Sequence, residues 1–160
     1  MHQDLGLVEA VSTVENLALG FGYATAPGGR IKWREETKRA KQLLLDLGFD
    51  INVRAPVAML GAAERTGVAI ARALMMKPEV LLFDEPTAAL DPEITNQVVK
   101  IINDLSETGI TQVVVTHEVD FAKKIASHVL YLERGHIVEH GTHDAFVNPQ
   151  TTQFADYLNH

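Results

Sequence analysis

Three carboxylates stand close together in Val80-Leu81-Leu82-Phe83-Asp84-Glu85-Pro86-Thr87-Ala88-Ala89-Leu90-Asp91. An apolar run ends in two adjacent acids, and a Pro-containing turn leads to the third. A buried strand that stops at Asp84-Glu85 delivers both acids to the C-terminal edge of a sheet, where open α/β sheets bind ligands. Carboxylate oxygens are the hard donors that Mg²⁺ takes, and a positioned carboxylate can serve as a general base. Plainer readings stand beside these. Asp84 can cap the next turn, Glu85 can be a surface acid after a strand, and Asp91 can be the N-cap of a helix opening at Pro92.

Other residues could join them. His117 ends a second apolar run, Val113-Val114-Val115-Thr116-His117-Glu118; its plain reading is a strand-end cap. The other six histidines show no metal-ligand spacing, although His140 and His143 form an H-x-x-H pair. Gly61-Ala62-Ala63-Glu64 opens a helical stretch with an acid in its first turn, a favourable place for negative charge. Nowhere in the 160 residues is there a G-x-x-x-x-G-K-S/T phosphate loop.

The elements that must position these residues follow from periodicity. Residues 1 to about 60 read as mostly helical, with Ser12-Thr13-Val14-Glu15 at capping-box spacing and a turn-rich segment over 24–29. Ala40, Leu43, Leu44 and Leu47 predict an amphipathic helix from about Arg34, ended by Gly48. A further helix is predicted over Ala62–Met76, ended by Pro78. From Glu79 onward the period changes. Val80 to Phe83 reads as a parallel strand covered on both faces. A helix with Ile94, Val98, Ile101, Ile102 and Leu105 on one face follows, closed by Gly109. Gln112–Thr116 is a second buried strand, a helix covers about Asp120 to Ala126, and Arg134-Gly135 turns a hairpin. Two short helices split by Asn148-Pro149 end the chain. This alternation argues for parallel α/β architecture.

Composition narrows the function classes. Apolar residues make up 46% and charged residues 22%, ordinary for a globular domain. A net charge of −7 argues against non-specific nucleic-acid binding. There is no cysteine, so there is no disulfide framework and no thiolate metal site. No apolar run approaches the about 20 residues needed to span a bilayer, and Met1-His2-Gln3-Asp4 does not read as a signal peptide. Any membrane role is expected to run through a partner.

Residues 80–91 resemble the Walker B motif and D-loop of ABC-type ATPases. The resemblance extends to His117, similar to the histidine after Walker B that contacts the γ-phosphate. It reaches His2-Gln3-Asp4-Leu5, similar to the Q-loop, whose glutamine touches Mg²⁺ or water and senses the membrane subunit. It also takes in Val68–Leu74, similar to the helix after the ABC signature. That signature normally reads Leu-Ser-Gly-Gly-Gln. Here Gly61 stands for the serine, Ala62 and Ala63 for the glycines and Glu64 for the glutamine. Gly61 supplies no hydroxyl, alanine tolerates positive φ poorly, and Glu64 brings a negative charge, so a weakened site is expected. The resemblance implies Mg²⁺ on Asp84 and Gln3, Glu85 and His117 in catalysis, and nucleotide contacts from Gln3, Gly61 to Glu64 and Asp91.

The implied fold is a partial P-loop NTPase core, with parallel strands flanked by helices, plus an α-helical subdomain. Residues 1–76 would hold the Q-loop and helical subdomain, and 77–160 the C-terminal part of the α/β core. Residues 1–67 resemble sugar-importer ATPases and 68–160 polar amino-acid importer ATPases of the arginine or glutamine type. A hybrid, natural or constructed, or an excised fragment is therefore expected. Without the strand before the phosphate loop, unpaired edges predict a rearranged sheet, self-association or marginal stability. The implied function is the ATP-hydrolysing subunit of an importer for a small solute, inactive alone. It would lie on the cytoplasmic face of the membrane, with membrane-spanning subunits and a second ATPase subunit as partners. The alternative is a non-catalytic module used as a scaffold or protein-interaction domain.

Overall fold

The computed structural model describes residues 6–19, 22–88 and 90–159. Gln3 lies outside the described residues, as does Ala89 of the acidic turn. The first helix, α1 (Thr13–Ala18), opens on Ser12 with a capping box. The Ser12 hydroxyl receives the Glu15 amide, and Glu15 reaches back to the Ser12 amide. The wholly buried Asn16 ties down the segment before it. Its side-chain oxygen accepts from Val8 N at 2.8 Å and its amide donates to Val8 O at 2.9 Å.

Helix α2 (Trp33–Asp46) and helix α3 (Ala62–Met75) follow, within a residue or two of the expected bounds. A short 3-10 turn, Val57–Met59, lies between them. The apolar stripe of α2 buries Ala40 and Leu44 against a core that also takes Val14 and Leu17 of α1 and Val68, Ile70 and Ala71 of α3. This core continues into Leu81, Ile101 and Leu105. One contiguous cluster thus draws on residues from both sides of position 76.

Strand β1 (Val80–Asp84) and strand β2 (Thr111–Val115) pair in parallel, with Leu82 opposite Val113 and Asp84 opposite Val115. Between them runs α4 (Pro92–Ser106), whose N-cap Asp91 accepts Ile94 N at 2.9 Å. Helix α5 (Val119–Ile125) leads to the antiparallel hairpin β3 (His128–Glu133) and β4 (His136–Thr142), irregular at Tyr131/Leu132. A 3-10 turn, His143–Phe146, and α6 (Thr152–Leu158) close the described chain. Tyr131 stacks on Phe154 with ring centroids 5.0 Å apart, joining the hairpin to α6.

The strands differ from expectation in one respect. Only one face of the parallel pair is covered. Leu81 is buried, whereas Val80, Leu82, Val113 and Val115 are exposed. Side chains alternate across a strand, and the helices pack on one side only, so an unbroken apolar run is half covered. Among the described residues β1 pairs only with β2, and the hairpin forms a separate two-stranded sheet.

A buried acid pins the end of the chain. The Glu139 carboxylate on β4 accepts from Gln150 N at 2.9 Å, from Thr151 N at 2.8 Å and from the Thr151 hydroxyl. The Thr151 hydroxyl, followed by the two amides, holds its pKa below the ordinary carboxylate value against the effect of burial. A depressed native value means stability that is present above the ordinary 4.5 and is lost as pH falls through the native value. Glu139→Gln is therefore expected to melt earlier at neutral pH, with the gap to the parent protein closing on acidification. Thermal melts across the acid range check this; a gap independent of pH would overturn it.

Candidate functional site

The C-terminal edge of the β1–β2 pair gathers three of the sequence-predicted residues. Asp84 is the last residue of β1 and is exposed. Glu85 continues the ladder one step further, donating its amide to Val115 O at 2.8 Å. Its backbone then turns to φ 46°, a left-handed conformation that few side-chain-bearing residues adopt. Such a residue costs of order 1–3 kcal/mol, and such strain clusters at functional sites. The turn closes through Ala88 N to Glu85 O at 3.1 Å and Leu90 N to Thr87 O at 3.0 Å.

Across the edge, His117 Nδ1 lies 2.8 Å from Glu85 Oε1. The His117 ring is 73% exposed and the Glu85 side chain 29%, so the ring faces solvent while the carboxylate is half-sheltered. The Glu85 hydrogen bond, then its charge and that of Glu118, raise the His117 pKa above 6.5, against a smaller opposing effect of desolvation. From α6, the Tyr157 hydroxyl donates to His117 O at 3.1 Å and steadies the strand end.

Sequence reasoning missed a second contact at this edge. Thr87, 2% exposed, donates its hydroxyl to Glu118 Oε1 at 2.8 Å. The two strand ends are therefore joined twice, by Glu85–His117 and by Thr87–Glu118. The available signal was adjacency: Thr87 follows the acids by two residues and Glu118 follows the histidine directly.

The remaining candidates stand elsewhere. Asp91 is exposed and caps α4. Gly61 is the N-cap of α3 in an extended conformation, and Glu64 Oε2 accepts the Gly61 amide at 2.8 Å. With no side chain on Gly61, only this half of a capping box is made. Positive φ occurs at neither Ala62 nor Ala63, so both alanines sit without strain. Glu64 is folded back onto its own helix start. His143 Nε2 engages Lys123 O at 2.9 Å, which occupies one ring of the H-x-x-H pair.

Among the described residues no group of three or more His, Cys, Asp or Glu is placed to hold a metal by protein ligands alone. A magnesium site needs no such group. Mg²⁺ keeps several waters and is bound by one or two carboxylates plus substrate phosphates, and Asp84 offers an exposed carboxylate at the strand end. The donor chemistry fits.

The site thus stands on a parallel βαβ unit, with paired acids at its C-terminal edge and a histidine at the end of the next strand. The ABC transporter family model matches residues 1–88, and an AAA-domain model matches residues 66–121. The chain belongs to the ABC transporter ATPase family. It is 64% identical over 168 aligned positions to the arginine transport ATP-binding protein ArtP of Haemophilus influenzae, covering 100% of this chain and 67% of that protein. To the glutamine transport ATP-binding protein GlnQ of Escherichia coli it is 41% identical, covering 100% of this chain and 65% of that protein. The dimeric post-hydrolysis structure of the ATP-binding cassette MJ0796 bound to ADP and Pi overlays at TM-score 0.70 and 30% identity, covering 88% of this chain and 60% of that one. The chain spans between 50% and 67% of the length of the ArtP relatives it matches. One arginine-type relative aligns along the whole chain, so a sugar-importer origin for residues 1–67 finds no support.

Proposed function

We propose that the chain belongs to the ATP-binding subunit of an importer for a polar amino acid of the arginine type, and carries the side of the ATPase site that faces water and metal. The observation that supports this reading most is the 2.8 Å contact between Glu85 and His117 at the edge of the parallel pair. In this reading Glu85 orients the attacking water and accepts its proton, while His117 donates to the γ-phosphate of ATP. Asp84, with Gln3, would hold Mg²⁺, which when bound neutralises phosphate charge. Asp91, and Gly61 to Glu64, would face nucleotide across a dimer with a second ATPase subunit.

Glu64 weakens that last role, because its carboxylate already serves the α3 start. Residues 1–76 would meet membrane-spanning subunits and 77–160 the nucleotide, at the cytoplasmic face of the membrane. Among the described residues no helix is long and apolar enough to cross a membrane. Phosphoryl transfer rests on positioning and charge neutralisation, and these 160 residues lack the phosphate-loop lysine and amides that supply much of both. This chain alone is therefore expected to bind Mg-ATP weakly and turn it over slowly or not at all.

A second reading, a non-catalytic interaction module, is favoured by one observation. Val80, Leu82, Val113 and Val115 lie exposed on one face of the parallel pair, and contiguous exposed apolar surface marks interaction sites. Calorimetric titration with Mg-ATP of a subunit completed with a phosphate-binding loop separates the two. Saturable binding abolished by Asp84→Asn supports the ATPase reading. A stable fold indifferent to millimolar Mg-ATP supports the module.

A further inference from the structure

We propose that the hollow between α2 and the loop around Arg54 is an anion site for a phosphate-bearing ligand. Arg34, Lys38 and Lys41 recur at helical spacing, which sets them on one stripe of α2. Arg54 joins them from the loop before the 3-10 turn, and the four, with Leu45, line a hollow of about 280 Å³. No aspartate or glutamate lines it.

The charges there are unusually uncompensated for a chain of net charge −7. Among the described residues, Arg34, Lys38 and Arg54 make no ion pair, and Lys41 approaches Asp50 only at 3.8 Å with both groups exposed. The acids on α2 are engaged elsewhere. Glu36 is buried and accepts Ala24 N at 2.7 Å, Glu35 pairs with Lys32 at 3.1 Å, and Asp46 accepts from Gln42 at 2.8 Å. Like charges four apart destabilise a helix, and Arg34 and Lys38 stand four apart on α2. A bound anion would relieve the repulsion.

The donor types favour phosphate. Guanidinium groups such as those of Arg34 and Arg54 form planar forks that match phosphate oxygens bidentately, and lysines add point charge. The volume lies just below the range of drug-sized ligand sites, which suits a phosphate, a diphosphate or a lipid headgroup. No residue of the hollow lies in 80–91 or 111–118, so the inference stands apart from the proposed nucleotide edge.

The test uses the 160-residue chain in magnesium-free buffer. One arm titrates it calorimetrically with inorganic pyrophosphate. The other sediments it with phosphatidylcholine vesicles, with and without phosphatidylglycerol. The double variant Lys38→Gln/Arg54→Gln replaces two exposed side chains and is checked by its thermal melt; Lys124→Gln, on α5, is the control. Binding in at least one arm is expected, weakened by added salt, weakened about tenfold or more in the double variant, and unchanged in the control. Saturation by pyrophosphate identifies a free anion as the ligand source, and binding only to phosphatidylglycerol vesicles identifies a headgroup. No binding in either arm, or equal binding by a well-folded double variant, would overturn the proposal.

Discussion

Glu85→Gln is expected to cut ATP turnover by about 10² to 10⁴-fold in a subunit completed with a phosphate-binding loop, the range for losing a positioned general base. The fold should survive, because Gln keeps the size of Glu and the backbone bond from residue 85 to Val115 O is untouched. A second readout needs no turnover. Glu85 supplies the two largest causes of the raised His117 pKa. Removing its charge should let His117 titrate closer to 6.5, because desolvation and the smaller pull of Glu118, the influences that remain, oppose each other.

The sign for stability follows from linkage. A raised native pKa means that the ion pair stabilises fully below the ordinary value of 6.5 and fades as pH climbs through the raised one. Parent and variant should therefore differ on the acid side and converge at alkaline pH. Proton NMR of the His117 ring and melts at several pH values check this. Turnover within a few-fold of the parent, together with an unmoved His117 titration, would remove Glu85 from the site.

Gly67→Ala is expected to destabilise the chain, although alanine is the better helix former by about 1 kcal/mol. A β-carbon at Gly67 would meet three Phe49 ring atoms at 2.5, 2.6 and 2.8 Å. Phe49 is 5% exposed and packed in the main cluster, so its ring has little room to retreat. Overpacking of this kind costs about 1–3 kcal/mol. At roughly 2–4 °C per kcal/mol for a chain of this size, the melting temperature should fall by several degrees. Phe49→Leu should recover part of the loss from Gly67→Ala, a coupling that a double-mutant cycle reads directly. Equal stability of Gly67→Ala and the parent would mean that α3 and the Phe49 turn are not closely packed.

Local signals carried the sequence of elements. Ser12 and Glu15 announced α1, Asp91-Pro92 opened α4, Arg134-Gly135 turned the hairpin, and the stripe ending at Leu47 marked α2. Each depends on residues within a turn or two, so it can be read from the chain alone. Asp84 and Glu85 were legible as strand-end acids for the same reason, and the twelve-residue pattern around them was specific enough to indicate the family.

Other features required the folded molecule. The burial of only one face of β1 depends on which elements pack against it, and an unbroken apolar run is silent on that. The Glu85–His117 and Thr87–Glu118 contacts join residues about thirty positions apart. Parallel pairing needs a long crossover, so no local pattern gives its register. No local signal marks Gly67 as a contact, because only the fold places Phe49 against it. The left-handed turn at Glu85 is likewise held by its bond to Val115. The sequence by itself thus determined which residues could do chemistry and which elements would carry them. The tertiary structure decided which of those residues meet, because distance along the chain does not encode distance in space.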